Sequence, residues 1–284
     1  MAALNPSTDI STYIQTIYED ALFIARDQAI MPRLVTTYSD TTGLADRSLS
    51  QYTNATIATI GETDDLQSQA FTPSVLNTLT PAEYGAQFFL TDSRVESDPF
   101  GVRNDAAIEL GAAMAANINT NILGDFSSLT GGTVGAAGTT ITWGHFFAAL
   151  SQLRNQKAPP PYRCVLHIYQ WHRLAKAASI ATTTAANAPE FQDEVTRQWW
   201  VQRVGPVDVF VTADITVDAS DDANGAMFSP MALALDNRRA PRLEPERDAS
   251  RRGWELNLSS VYAHGVWRSA FGICMTFDAA APTS

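Results

Sequence analysis

The chain has 284 residues, 45% of them apolar, and a formal net charge of -11. That length fits one large domain or two small ones, with enough apolar residues for a substantial core. The acidic balance excludes a protein that grips nucleic acid through a basic face, though not one that encloses nucleic acid without gripping it.

The first residues, MAALNPSTDIS, offer neither a basic stretch nor an apolar one, so no export signal is expected. No run is apolar enough to span a bilayer, and folding in a cytoplasm is expected. Residues 10–30 place Ile14, Ile17, Tyr18, Ala21, Leu22 and Ala25 on one helical stripe, which Pro32 ends. The next twenty residues are polar and poorly periodic, as in an extended arm. TNATIATI, 53–60, then alternates like a strand, and Gly61 and an acidic tip, ETDDLQS, follow it. AFTPSVLNTLT and EYGAQFFLT return in extended form, with Pro73 and Pro81 confining their pairing to edges. An isolated hairpin of this kind is marginal in water, so support from a neighbouring copy of the chain is expected.

AAIELGAAMAANINTNIL, 106–123, reads as one long helix starting near Asp98-Pro99, with Asp as the cap and Pro in the first turn. Ala107, Ile108, Leu110, Gly111, Met114, Ala115, Ile118 and Ile122 form a broad face fit to lie on a sheet. Glu109, Asn117, Asn119, Thr120 and Leu123 fall on the other side, which should face outward. TGGTVGAAGTT, Thr130–Thr140, is a glycine-rich loop or hairpin; it lacks the lysine of a phosphate loop and the strand-to-helix setting. Thr142 caps a helix whose face is Trp143, Phe146, Phe147, Leu150 and Leu153.

Pro159 to Pro161 make a stiff connector, CVLHI a buried strand and QWHRLAKAAS a short helix. Residues 180–198 read as a surface loop, VDVFV and AMFSPMALAL as strands. In 238–252, Arg238, Arg239, Arg242, Arg247, Arg251 and Arg252 stand against Glu244, Glu246 and Asp248, as in a charged loop facing a partner subunit. LNLSSVYAHGVWRSAFGICMTF alternates over two final strands. The order of elements is α+β.

No constellation carries chemistry. His145, His167, His172 and His264 are scattered, so no metal site and no cofactor are expected. Cys164 and Cys274 sit in strand-like runs and read as reduced core thiols. Asp64 and Asp65 are solvated charges on the hairpin tip. Trp199-Trp200 suits packing in the core or between subunits. Lysine is confined to Lys157 and Lys176; the arginine bias fits interface use or the base composition of the gene.

TDSRVES followed by AIELGAAMAANINTNIL, and later YRCVLHIYQWHRL, fix a resemblance. The chain resembles the major capsid proteins of tailed phages, the Hong Kong 97 fold, across nearly its full length; Ile168 to Trp171 departs from the family's Pro-x-Gln-Trp-like turn in lacking Pro. The resemblance implies an N-terminal arm over 1–50, an E-loop over 51–92, a peripheral domain with the spine helix over 93–165, an axial domain over 166–255, and a return to the peripheral sheet over 256–284. It implies a self-assembling shell of hexamers and pentamers around double-stranded DNA, bound without sequence specificity, with no enzymatic activity and no membrane. A portal and a separate scaffolding protein are the implied partners, a decoration protein an optional one. The E-loop has no lysine, so its contacts should be non-covalent. Asp64, Asp65 and the six arginines of 238–252 are the expected inter-subunit contacts. An encapsulin-like nanocompartment and a soluble α+β enzyme or ligand-binding protein are the alternatives.

Overall fold

Strands from both halves of the chain build two sheets. The computed structural model describes residues 30–282, apart from 41–42, 53, 63–64, 66–67, 98–100 and 181–200. In chain order the described elements are β1 (Thr36–Tyr38), β2 (Arg47–Tyr52), β3 (Pro73–Leu79), β4 (Ala82–Thr91), α1 (Asp92–Glu96), α2 (Val102–Gly124), β5 (Thr133–Gly135), α3 (Trp143–Asn155), β6 (Tyr162–His167), α4 (Ile168–Ile180), β7 (Val201–Val204), β8 (Val207–Thr212), β9 (Asp222–Phe228), β10 (Leu233–Asp248), β11 (Gly253–Val266) and β12 (Gly272–Asp278). A four-stranded sheet has the order β1-β10-β11-β4, a six-stranded sheet the order β5-β12-β9-β6-β8-β7, and among the described residues β2 pairs only with β3.

The six-stranded sheet is the most deeply packed part. β6 and β9 are buried almost throughout, and α3 covers them with Phe146, Ala149, Leu150 and Leu153. Thr142 caps α3 as expected, its hydroxyl accepting from the His145 N–H. Phe147, expected on the buried face, is 53% exposed; Ala149 takes the inner position instead. Fully burying side chains such as Phe146, Phe228 and Phe277 contributes about 1.5–3 kcal/mol each.

Cys164 and Cys274 are free and buried, as expected. Cys164 faces Met227 across one ladder of β9, and Cys274 faces Ala226 across the other. Two inter-strand spacings separate the cysteines by roughly 9–10 Å, too far for a disulfide. Burial pushes the Cys164 thiol well up. The glycine-rich segment has a packing reason. A Cβ on Gly131 would overlap the carbonyl oxygens of Ala270 and Gly272, and Gly135, at φ 88°, lies against the Phe277 ring.

α2 lies between the four-stranded sheet and the chain entering at Ile30. Ala107, Leu110, Gly111, Met114, Ala115 and Ile122 are buried as expected, whereas Ile108 is 39% exposed. Its polar side faces outward only in part: Glu109 and Thr120 are exposed, as expected, but the asparagines turn to partners within the chain. Asn117 and Asn121, one turn apart, both donate to the Tyr262 hydroxyl of β11, at 2.7 and 2.8 Å. Asn119 projects about 200° from Asn117 around the helix. It is 1% exposed, accepts from the Met31 N–H (3.2 Å) and donates to Asp214 (3.0 Å). Leu123 is also buried. Helical periodicity placed most of the apolar face, but it could not show that the asparagines have partners on two sides of the helix.

Two strand assignments shift. Residues 54–60 form no strand; the outgoing strand is β2, just upstream, where Leu49 supplies a buried anchor. Residues 238–252 are largely β10 rather than a loop, with only the 249–252 turn before β11. Two register irregularities interrupt β10 opposite β11, between Asn237 and Arg239 and between Arg239 and Arg242. Pro241, which has no N–H to give a ladder, sits inside the second. The segment 256–284, expected to return to one sheet, serves both: β11 lies in the four-stranded sheet and β12 in the six-stranded one. The helix of 10–30, but for its last residue Ile30, the Asp98-Pro99 start, the 180–198 loop after its first residue, and Trp199-Trp200 lie outside the described residues.

Candidate functional site

Among the described residues the most exposed apolar surface is the β2–β3 hairpin. At its root, Leu49 and Leu79 are buried against Ala234 of β10 and Ala263 of β11. Asp236, fully buried, accepts from Arg47 Nε of β2 (2.7 Å) and from Arg238 Nε (2.8 Å). Arg47 also pairs with Asp40, lies over the Tyr38 ring, and holds the Asp40 carboxyl below its ordinary range. Arg238 donates to the Ala45 carbonyl at 3.0 Å. On the return side, Asn77 donates to the Val266 carbonyl at 2.7 Å. The hairpin therefore leaves the body through a small apolar plug and a buried ion cluster.

Beyond that root nothing among the described residues covers it. Tyr52, Ile57, Ile60, Phe71, Val75 and Leu76 are all exposed, Ile57 at 96%. Tyr52 and Phe71 stack on each other at 4.5 Å between ring centroids, which keeps the two arms together. Between hairpin and body runs a groove of about 530 Å³, lined by Leu76, Asn77, Asp125, Trp267, Arg268 and Phe271 among others.

The β10–β11 pair carries the arginines. Arg247 donates to both carboxylate oxygens of Asp92 and holds that carboxyl below its ordinary range. Arg247 and Arg103 both lie over the Trp254 ring, and Arg251 lies over Phe89 at 4.3 Å. Arg239 pairs with Glu83, Arg242 with Glu244, Arg251 with Glu255. Arg252 is exposed at the turn with φ 50°. The Ser250 hydroxyl holds the Asp248 carboxyl below its ordinary range.

Of the residues singled out in the sequence, Arg238 is thus a buried root residue, and Arg239 and Arg247 hold the sheet to β4 and α1. Arg242, Arg251 and Arg252 lie on the surface. Asp65 is exposed near the hairpin tip; Asp64 lies outside the described residues. Asp236, Arg47 and the aromatic shelf of Trp254 and Phe89 were not singled out. A lone Asp ending the apolar run AMFSPMALALD was the available signal for Asp236.

The histidines stay apart. His264 bonds Asp125 at 2.8 Å, and burial pushes His167 below its ordinary value. Among the described residues no group of three His, Cys, Asp or Glu side chains could hold a metal, and no helix is long and apolar enough to cross a membrane.

A family model described as phage capsid protein matches residues 76–274. No curated protein matches the sequence. Among solved structures, the fold is similar to the capsid of cyanophage P-SCSP1u, with a TM-score of 0.70 at 12% identity over 88% of each chain. It is similar to a structure from Mycobacterium phage Che8, with a TM-score of 0.65 at 14% identity over 82% of this chain and 85% of that one. A virus-like particle from Pyrococcus furiosus matches with a TM-score of 0.60 at 9% identity over 92% of this chain and 98% of that one.

Proposed function

The chain belongs to the phage capsid protein family, and from that premise we propose how its surfaces build a shell. It is a structural subunit of an icosahedral viral head with the Hong Kong 97 fold; it is not an enzyme, and its place is the virion. The β2–β3 hairpin acts as the E-loop and lies over a neighbouring subunit. The four-stranded sheet with α2 is the peripheral domain, with α2 as its spine. The six-stranded sheet is the axial domain, and the chain before β2 supplies the arm, a few residues short of the expected 1–50.

The observation that carries this reading is the hairpin's exposed apolar strip, six large side chains beyond a root of two buried leucines. Surfaces of that kind mark interaction sites. Asp64, Asp65, Arg239, Arg242, Arg247, Arg251 and Arg252 are contacts between subunits, with Arg238 bracing the hairpin root behind them. Assembly is non-covalent, because the E-loop has no lysine to form an isopeptide bond. It takes place in the host cytoplasm around double-stranded DNA, with a portal, a separate scaffolding protein and an optional decoration protein.

Size-exclusion chromatography with negative-stain microscopy tests the assembly. Closed particles are expected, and a chain that stays monomeric or dimeric under all assembly conditions overturns the reading. Deleting 61–68 should leave the subunit folded and impair the shell. An encapsulin-like compartment uses the same fold; nucleic acid inside native particles separates the two.

A further inference from the structure

TNATIATI, 53–60, is strand-forming by composition, with threonine and isoleucine dominant. Yet 54–60 pairs with no strand, and it is exposed throughout. One residue has a surrogate partner. The Gln69 side-chain amide accepts from the Thr56 N–H (2.8 Å) and donates to the Thr56 carbonyl (2.6 Å), both groups a neighbouring strand would satisfy. In a strand, backbone groups point to alternate sides. With Thr56 turned toward Gln69, the N–H and C=O of Ala55, Ile57 and Thr59 would face away from the hairpin. Among the described residues they have no hydrogen-bond partner.

Among the described residues a second strand lacks a partner on one side. β4 is an edge strand of ten residues, whereas β1 and β5 have three and β7 has four. Soluble proteins protect long edges with lysine, proline, bulges or short length. β4 has none of these. Its sequence AEYGAQFFLT carries one charge, Glu83, its register with β11 runs unbroken from Ala82 to Thr91, and Phe88 is exposed. The charges beside the two segments are opposite. Glu62 and Asp65 follow 54–60 on a hairpin tip that has no basic residue. Arg247, Arg251 and Arg252 stand at the Thr91 end of β4, where Thr91 pairs with Gly253; Arg247 is engaged by Asp92 and Arg251 by Glu255, which leaves Arg252 at the turn as the foremost contact for the tip.

We propose that residues 54–60 become a strand on assembly by adding to the free edge of β4 in a second copy of this chain. The acidic tip then meets the arginines at the Thr91 end, which makes the new pairing parallel. Main-chain hydrogen bonds hold the contact, and the charges set its direction. The inference rests on the shell reading above.

Hydrogen exchange on free subunits and on assembled particles of the full chain tests it. In particles, the amides of 54–60 and the outward amides of β4 should exchange roughly a hundredfold more slowly than in free subunits. Thr59→Pro, which removes an outward N–H, should block assembly, while Ala58→Pro, on the Gln69 side, should still assemble. Shells in which 54–60 or the outward β4 amides exchange as fast as in free subunits overturn the inference and leave the shell reading intact. Equal assembly of the two proline variants also overturns it. A wild-type chain that never assembles overturns the shell reading itself.

Discussion

The six-stranded sheet and the β2–β3 hairpin use strands of similar length, yet only the first has an interior. β6 and β9 are covered by α3 and by their own neighbours, and most of their residues are out of water. β3 exposes every residue but Leu79. Their sequences differ accordingly: CVL, 164–166, is continuously apolar, as suits a strand covered on both faces, whereas PSVLNTL mixes polar and apolar residues without committing either face. Stability is thus concentrated in one region and recognition in the other. A substitution should read out in the free subunit or in the shell according to where it falls.

The largest effect in the free subunit should come from Phe146→Ala under the six-stranded sheet, a loss of about 3–5 kcal/mol in denaturant unfolding. Leu79→Ala, in the small plug at the hairpin root, should cost about 2 kcal/mol and raise exchange in 47–79 before the rest of the chain opens. If it destabilises the whole subunit as much as Phe146→Ala, the hairpin is not the separate unit described. Asn119→Ala leaves the buried Met31 N–H without its acceptor and should cost about 1–2 kcal/mol.

Asp92 gives a pH-dependent contrast. Its carboxyl is held below the ordinary 3.8 by Arg247, so the stabilisation it adds is full above that value. It is lost as pH falls through the lowered value. Asp92→Asn should remove this acid-side decline, as followed by unfolding across pH 2–5. The smallest effect on the free subunit should come from Ile57→Ser. At 96% exposure it should leave subunit melting unchanged while reducing particle yield, and a matching drop in subunit stability would end the contrast.

How much of this was legible in the sequence follows the same divide. Buried elements declared themselves: CVLHI, the Thr142 cap with Phe146 and Leu150, and the apolar face of α2. Each is fixed by burial within one chain, which periodicity reports. The hairpin was legible as an excursion but not in its strand limits, because 54–60 has strand propensity without a partner while Leu49 and Leu79 have the partner. The charged run 238–252 read as a loop because its side chains are arginine and glutamate. Its ladder with β11 is a backbone property that charge does not reveal. The asparagines of α2 were misplaced for a related reason: amides suit water and buried polar partners equally well, and Tyr262, Met31 and Asp214 are remote in sequence.

Tyr262 has one more consequence. It stacks on Tyr84 at 4.3 Å and receives both Asn117 and Asn121, and burial pushes its phenol up to about 12. The folded chain therefore keeps that proton where an unfolded tyrosine near 10 would lose it, so the helix–sheet contact weakens as pH rises beyond 10. The phenolate absorbs at longer wavelength than the phenol. The ring thus serves as a native chromophore that reports on the helix–sheet contact in a lone subunit or in a finished particle, its late alkaline step told apart from that of Tyr38, also raised by burial, by its loss in Tyr262→Phe.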